Sequence, residues 1–117
     1  DTGPYLMYTN ARANSILKNV KIAKPDYTLL KHPSEVKLVT ILGNYPATVQ
    51  SALRERKPHT LAQFLLESSH RFNEFYHACP VLKADNEKAA RLSLVQATTI
   101  VLANGLSLLG MSAPKTM

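Results

Sequence analysis

The chain is short of cysteine, glycine and acidic residues, and each scarcity closes off a class of function. Cys79 is the only cysteine among 117 residues, so no internal disulfide can form. No Cys/His cluster has zinc-finger spacing, and nothing in the sequence implies secretion or a structural metal. A reduced, cytoplasmic setting is expected. The glycines Gly3, Gly43, Gly105 and Gly110 make no phosphate-cradling pattern. Nor does any stretch approach the ~20 unbroken apolar residues of a membrane span. The most apolar stretch is interrupted by Gln96, Thr98, Thr99, Asn104 and Gly105. The opening DTGPYLMY lacks the basic and apolar regions of a signal peptide. Pro4 stands where a helix would begin, almost without a leader, which suggests a domain cut from a longer chain.

This length supports one domain with a single core, residues 1–117, too small for a two-domain enzyme with its own cofactor fold. Fourteen Lys and Arg against eight Asp and Glu give a net charge of +6, which suits either a polyanionic partner or ordinary solubility. The excess is uneven. Residues 1–60 carry nine basic against four acidic groups, whereas residues 61–117 carry five against four. The first half is therefore the expected contact surface.

Apolar periodicity points to an all-α bundle of four to five helices around a long C-terminal one. The first helix is expected from Pro4 to Ala23, burying Leu6, Ala13, Leu17 and Val20 and projecting Tyr5, Tyr8, Arg12, Ser15 and Asn19 to the other side. A loop follows over residues 24–34, and Ser34 is a candidate N-cap for a second helix carrying Val36, Leu38, Val39, Ile41 and Leu42. Pro46 interrupts that run, and Ala47 to Arg56 continue as a further helix. A third long helix, about 59 to 78, places Leu61, Leu65, Ser68, Phe72, Phe75 and Cys79 on one face. Pro80 closes it, and Asp85 can cap the last helix. Along that helix Leu92, Val95, Thr99, Leu102, Leu106 and Leu109 recur at helical spacing, with Leu94, Val101 and Leu108 on a second row. Ser93, Gln96, Asn104 and Ser107 leave a narrow polar strip. Gly110 and Pro114 end the helix.

Enzymatic constellations are weak. Ser68, Ser69 and His70 are neighbours on one helix and cannot form a triad by adjacency. His70 and His77 share a face, but no third metal ligand accompanies them. Cys79 falls on an apolar stripe, where a small buried hydrophobe is expected. Binding candidates are better. Tyr8 and Arg12, four residues apart, can stack a splayed RNA base and hold its phosphate, or Tyr8 can pack on a neighbouring helix beside a solvated Arg12. Tyr76 lies at the edge of the Phe72 stripe, half core and half surface. Lys18, Lys21, Lys24, Lys31, Lys37, Arg54, Arg56 and Lys57 can steer a phosphate backbone or serve as a solvated face.

Three segments, GPYLMYTNAR, HTLAQFLLESSHRFNEFYHACPV and ARLSLVQATTIVLANGLSLLGMSAPKTM, resemble the C-terminal anticodon-binding domain of arginyl-tRNA synthetases. This is the all-helical module of class I synthetases named for its Asp-Ala-Leu-Arg motif. The similarity runs from Gly3 to Met117. Its most specific parts are Pro4 to Tyr8, Leu102-Ala103-Asn104-Gly105 with Leu108-Leu109-Gly110, and the ending Ala-Pro-x-x-Met. Lys88-Ala89-Ala90-Arg91 stands at the place of the eponymous motif, of which Arg91-Leu92 keeps the later half. Residues 24–58 match only in helical pattern.

The resemblance implies a domain that grips the anticodon loop of arginine tRNA and has no cofactor of its own. Charging, with ATP and magnesium, would belong to a catalytic domain of the same polypeptide, whose His-Ile-Gly-His-type and Lys-Met-Ser-Lys-type signatures this sequence lacks. Carried over residue by residue, the loop contacts fall on Tyr8, Arg12, Tyr76 and Met117. A membrane or a metal is not expected. The competing reading is a non-catalytic helical module whose basic face meets a protein.

Overall fold

A computed structural model describes residues 2–110 and contains five α-helices: α1 (Thr2–Leu17), α2 (Pro33–Gly43), α3 (Tyr45–Glu55), α4 (Pro58–Ala78) and α5 (Lys88–Leu108). Among the described residues there is no strand. The sequence-based expectation of a helical bundle with a long C-terminal helix holds. The chain packs α1 against both α5 and α4, α2 against α4 and α5, and α3 against α4. The last helix therefore shares its central place with α4.

The buried stripe of α4 is the one its periodicity predicts: Leu61, Leu65, Ser68, Phe72 and Phe75, with Cys79 just beyond the helix end. Two apolar clusters result. Phe72, Phe75, Leu38, Leu92 and Val95 form one, and Leu6, Leu61, Leu65, Leu102 and Leu106 form the other. Full burial of each such side chain contributes about 1.5–3 kcal/mol. On α5, Leu92, Val95, Thr99, Leu102 and Leu106 are buried as expected. Leu108 is 53% exposed, because the second row leaves the bundle in the last turn. Gly105 lies where α5 packs tightly on Leu65 of α4, since a Cβ there would stand 2.6 Å from Leu65 Cδ2.

Helix ends account for most departures from expectation. The first helix stops at Leu17, six residues before Ala23. Asn19 takes a left-handed conformation (φ 59°), one that Asn tolerates better than most residues. Val20 thus lies outside the helix, and it and Leu17 are only partly buried; Ile16 takes the buried place. Tyr5 projects only in part, since it is half-buried against the Leu6 cluster.

At α2 the cap is the His32 side chain, which accepts from the Ser34 N–H (3.1 Å), while Glu35 Oε1 accepts from the His32 N–H (2.9 Å). Pro33 occupies the first turn, where its missing N–H is harmless. Asp85 does not cap α5 with its side chain; its carbonyl accepts from Lys88 N, and Glu87 occupies the N-cap position without a side-chain bond. Between α1 and α2 a short 3-10 turn, Tyr27–Leu29, is capped by Asp26.

Candidate nucleic-acid interface

Helices α1 and α4 lie side by side and run in the same direction. Tyr5 meets His70, Thr9 and Arg12 meet Asn73, and Arg12 meets Tyr76. Two stripes make this possible: residues 5, 9 and 12 on α1 and residues 70, 73 and 76 on α4, each at the spacing of three or four that keeps side chains on one helix face.

Arg12 is half-buried, and its Cζ stands 4.6 Å from the centroid of the Tyr76 ring. Its Nη1 donates to Asn73 Oδ1 at 3.2 Å. Beneath this layer, Tyr76 stacks near-parallel on Phe72, with ring centroids 6.2 Å apart and 14° between planes. A core phenylalanine therefore lies near-parallel to Tyr76, and Tyr76 in turn carries the guanidinium carbon over its ring. Tyr8, one turn before Arg12, is 56% exposed. It makes no hydrogen bond or ring contact among the described residues.

Hydrogen-bond polarity propagates from Arg12, which can only donate. Because Asn73 Oδ1 accepts from Arg12, its Nδ2 is turned toward α1, where it donates to the Tyr5 hydroxyl (2.9 Å) and to Thr9 Oγ1 (3.4 Å). The Tyr5 hydroxyl in turn shares a hydrogen bond with His70 Nδ1 (3.2 Å). With the proton on Nε2, neutral His70 leaves Nδ1 to accept from this hydroxyl, which then both accepts and donates. The rings of Tyr5 and His70 also lie against each other, centroids 5.2 Å apart.

Of the candidate residues, Arg12 and Tyr76 are thus brought into direct contact and Tyr8 is beside them. Met117 lies outside the described residues. Sequence reasoning missed Asn73 and His70 as members of the surface, and placed Tyr5 on the face of Tyr8 and Arg12 without giving it a role. The signal available was the pairing of two polar-aromatic stripes at matching intervals, which becomes meaningful only once α1 and α4 are known to be neighbours.

Other polar groups are engaged elsewhere. Arg71 pairs with Glu67 and Glu74 along α4, an exposed arrangement of small energetic weight. The polar strip of α5 is used by other elements: Asn104 accepts from the Tyr45 hydroxyl, and Ser93 bonds the Tyr27 hydroxyl at 2.9 Å. Burial raises the Tyr45 phenol above its ordinary range. Asp26 is lowered, because its carboxylate accepts from the Thr28 hydroxyl and then from the Thr28 N–H. Among the described residues no group of three or more His, Cys, Asp and Glu is placed to hold a metal, and no helix is long and apolar enough to cross a membrane.

Comparison with known proteins places this surface in context. The model of the DALR anticodon binding domain matches residues 6–117. The arginine–tRNA ligase of Lactobacillus johnsonii is 43% identical over 118 residues, which cover 100% of this chain and 21% of that protein. That of Methanosarcina barkeri is 41% identical over 123 residues, covering 97% and 22%. Thermus thermophilus arginyl-tRNA synthetase superimposes with a TM-score of 0.92 at 41% identity, over 98% of this chain and 21% of that one. The chain thus spans about a fifth of the length of these relatives. With a family match over nearly its whole length and relatives this similar, the chain belongs to the DALR anticodon-binding domain family.

Proposed function

We propose that this chain reads the anticodon loop of arginine tRNA as the C-terminal part of an arginine–tRNA ligase. The chain itself catalyses nothing. ATP-dependent attachment of arginine, with magnesium, belongs to a catalytic domain of the same polypeptide, acting in the cytoplasm. The observation that carries this reading is the layered Phe72–Tyr76–Arg12 stack beside the exposed ring of Tyr8.

An anticodon loop offers unstacked bases, which need a planar surface and partners for their edges. Tyr8 supplies an open aromatic face. Arg12 lies over the Tyr76 ring, so a second base approaching there meets the guanidinium first, and the free guanidinium N–H groups remain available to a phosphate or a base edge. Met117 supplies an adaptable apolar cover over a turned-out base.

Titration of an arginine anticodon stem-loop tests the proposal. Each lost stack weakens binding by on the order of 1–3 kcal/mol, so the double change Tyr8→Ala, Tyr76→Ala is expected to reduce affinity at least tenfold. Removing Met117 weakens it further. Binding that is insensitive to salt and to both tyrosines overturns the reading and favours a protein-interaction module.

A further inference from the structure

The basic residues of the first half fall into separate groups in the fold, and one of them continues from the end of α1 that carries Arg12. Lys18 directly follows the last residue of α1, whose end lies five residues, or about 7.5 Å of helical rise, beyond Arg12. Lys21 and Lys24 continue from there in the segment leading to the 3-10 turn. By contrast, Arg54, Arg56 and Lys57 sit at the corner between α3 and α4. Eighteen residues of α4 separate Pro58 from Tyr76, which at helical rise is about 27 Å. A cluster at that corner cannot serve a loop seated on Tyr76.

The segment is held in place rather than trailing in solvent. Val20, Ile22 and Leu30 pack against the same apolar cluster as Tyr76, and the Tyr27 hydroxyl bonds Ser93 of α5. Lys21, between Val20 and Ile22, is exposed, as are Lys18 and Lys24. None of the three has an ion-pair partner among the described residues. The only acid between Arg12 and Glu35 is Asp26, whose carboxylate is engaged by its own turn at Thr28. Lys21 and Lys24 also border an open cleft of about 620 Å³ whose far wall carries Ser93 and Gln96. Uncompensated ammonium groups on a fixed segment, facing hydroxyl and amide groups, suit a hydrated polyanion.

We propose that Lys18, Lys21 and Lys24 form a phosphate-backbone track that holds the RNA hairpin independently of its loop sequence, and that Arg54, Arg56 and Lys57 take no part in it. This rests on the RNA-binding reading above and assigns the electrostatic share of that binding to one segment. Neutralising a phosphate releases condensed counterions, so each contact adds about 0.7–0.9 to the slope of log affinity against log salt.

The test uses two hairpins with the same stem, one with an arginine anticodon loop and one with a scrambled loop, titrated across a salt series. Lys18→Ala/Lys21→Ala/Lys24→Ala is expected to reduce the salt slope by about 2–3 and to weaken both hairpins by the same factor. Arg54→Ala/Arg56→Ala/Lys57→Ala is expected to leave slope and affinity within twofold of the unaltered chain. All six side chains are exposed, and matching helical circular dichroism checks the fold. If the unaltered chain discriminates the loops but the lysine variant keeps its salt slope, or both triple variants lose slope equally, the track is overturned while the anticodon reading stands. If the unaltered chain binds neither hairpin at low salt, both fall.

Discussion

Arg91 of α5 reaches the buried carboxylate of Glu35 in the first turn of α2, Nε to Oε2 at 2.7 Å. The same guanidinium donates through Nη1 to the Pro80 carbonyl at 2.8 Å, and the other oxygen of Glu35 caps the His32 N–H. One ion pair therefore ties together α2, α5 and the connection after α4. The arginine retained from the family's name motif is a structural clamp here, whereas Lys88 at the start of that motif is exposed.

Glu35 is 1% exposed, so removing its charge strands Arg91 in a site of low polarity. Glu35→Gln is expected to cost about 3 kcal/mol, and Arg91→Ala a similar amount. Replacing both by apolar residues of similar volume, Glu35→Leu with Arg91→Met, should restore most of the loss. Thermal denaturation of the four chains measures this. Equal midpoints for Glu35→Gln and the unaltered chain would show that the pair contributes nothing.

Asn73 orients Arg12 and, through Tyr5, the His70 ring. Long-range nitrogen–proton correlation spectra should show neutral His70 as the Nε2–H tautomer. Asn73→Leu removes both of its hydrogen-bonding ends; RNA affinity is expected to fall about tenfold with the fold intact, from misplacement of Arg12. A predominant Nδ1–H tautomer would show instead that the Tyr5 hydroxyl accepts from both Asn73 and His70.

The close approach at Gly105 sets opposite signs for two glycine substitutions. Gly105→Ala gains helix propensity of up to about 1 kcal/mol, but its Cβ meets both methyls of fully buried Leu65, at 2.6 and 2.7 Å. Overpacking costs of about 1–3 kcal/mol outweigh that gain, and adding Leu65→Val should recover part of it. Gly43→Ala meets nothing within 4 Å and should stabilise by about 0.4–1 kcal/mol. Urea midpoints with unchanged slopes report both.

Burial raises the Cys79 thiol above its ordinary range, with a smaller push from the Glu35 carboxylate and a partial opposing effect of Arg91. For an acid whose folded value is raised, the stabilising contribution is complete below the unfolded value and is lost as pH rises through the folded one. Stability should therefore decline above about pH 9, and less steeply in Cys79→Ala, which keeps the parallel contribution of Tyr45. Native Cys79, 1% exposed, should react with an alkylating agent only as fast as the chain opens.

Periodicity revealed the buried stripe of α4 and most of that of α5, because a helix that must bury one face writes the choice every three or four residues. Its ends were harder to read. Residues 18–23 carry no helix breaker, yet α1 stops at Leu17; Val20 and Ile22 instead pack on the first apolar cluster from an irregular segment, a preference for tertiary burial that local pattern does not record. The same holds for His32, which caps α2 through a ring nitrogen where Ser34 had the more usual chemistry.

At the candidate site, helical spacing paired Tyr8 with Arg12, and the family resemblance added Tyr76 and Met117, since residue type and place in a motif are local properties. That Arg12 lies on Tyr76, that Phe72 supports Tyr76 from within the core, and that Asn73 joins α1 to α4 were decided by the parallel packing of two helices more than forty residues apart in the chain. Composition and spacing determined an all-helical chain with a basic first half. Which basic groups lie beside the aromatic stack was decided by tertiary structure alone, because a side chain's neighbours across a helix interface depend on the crossing of two faces.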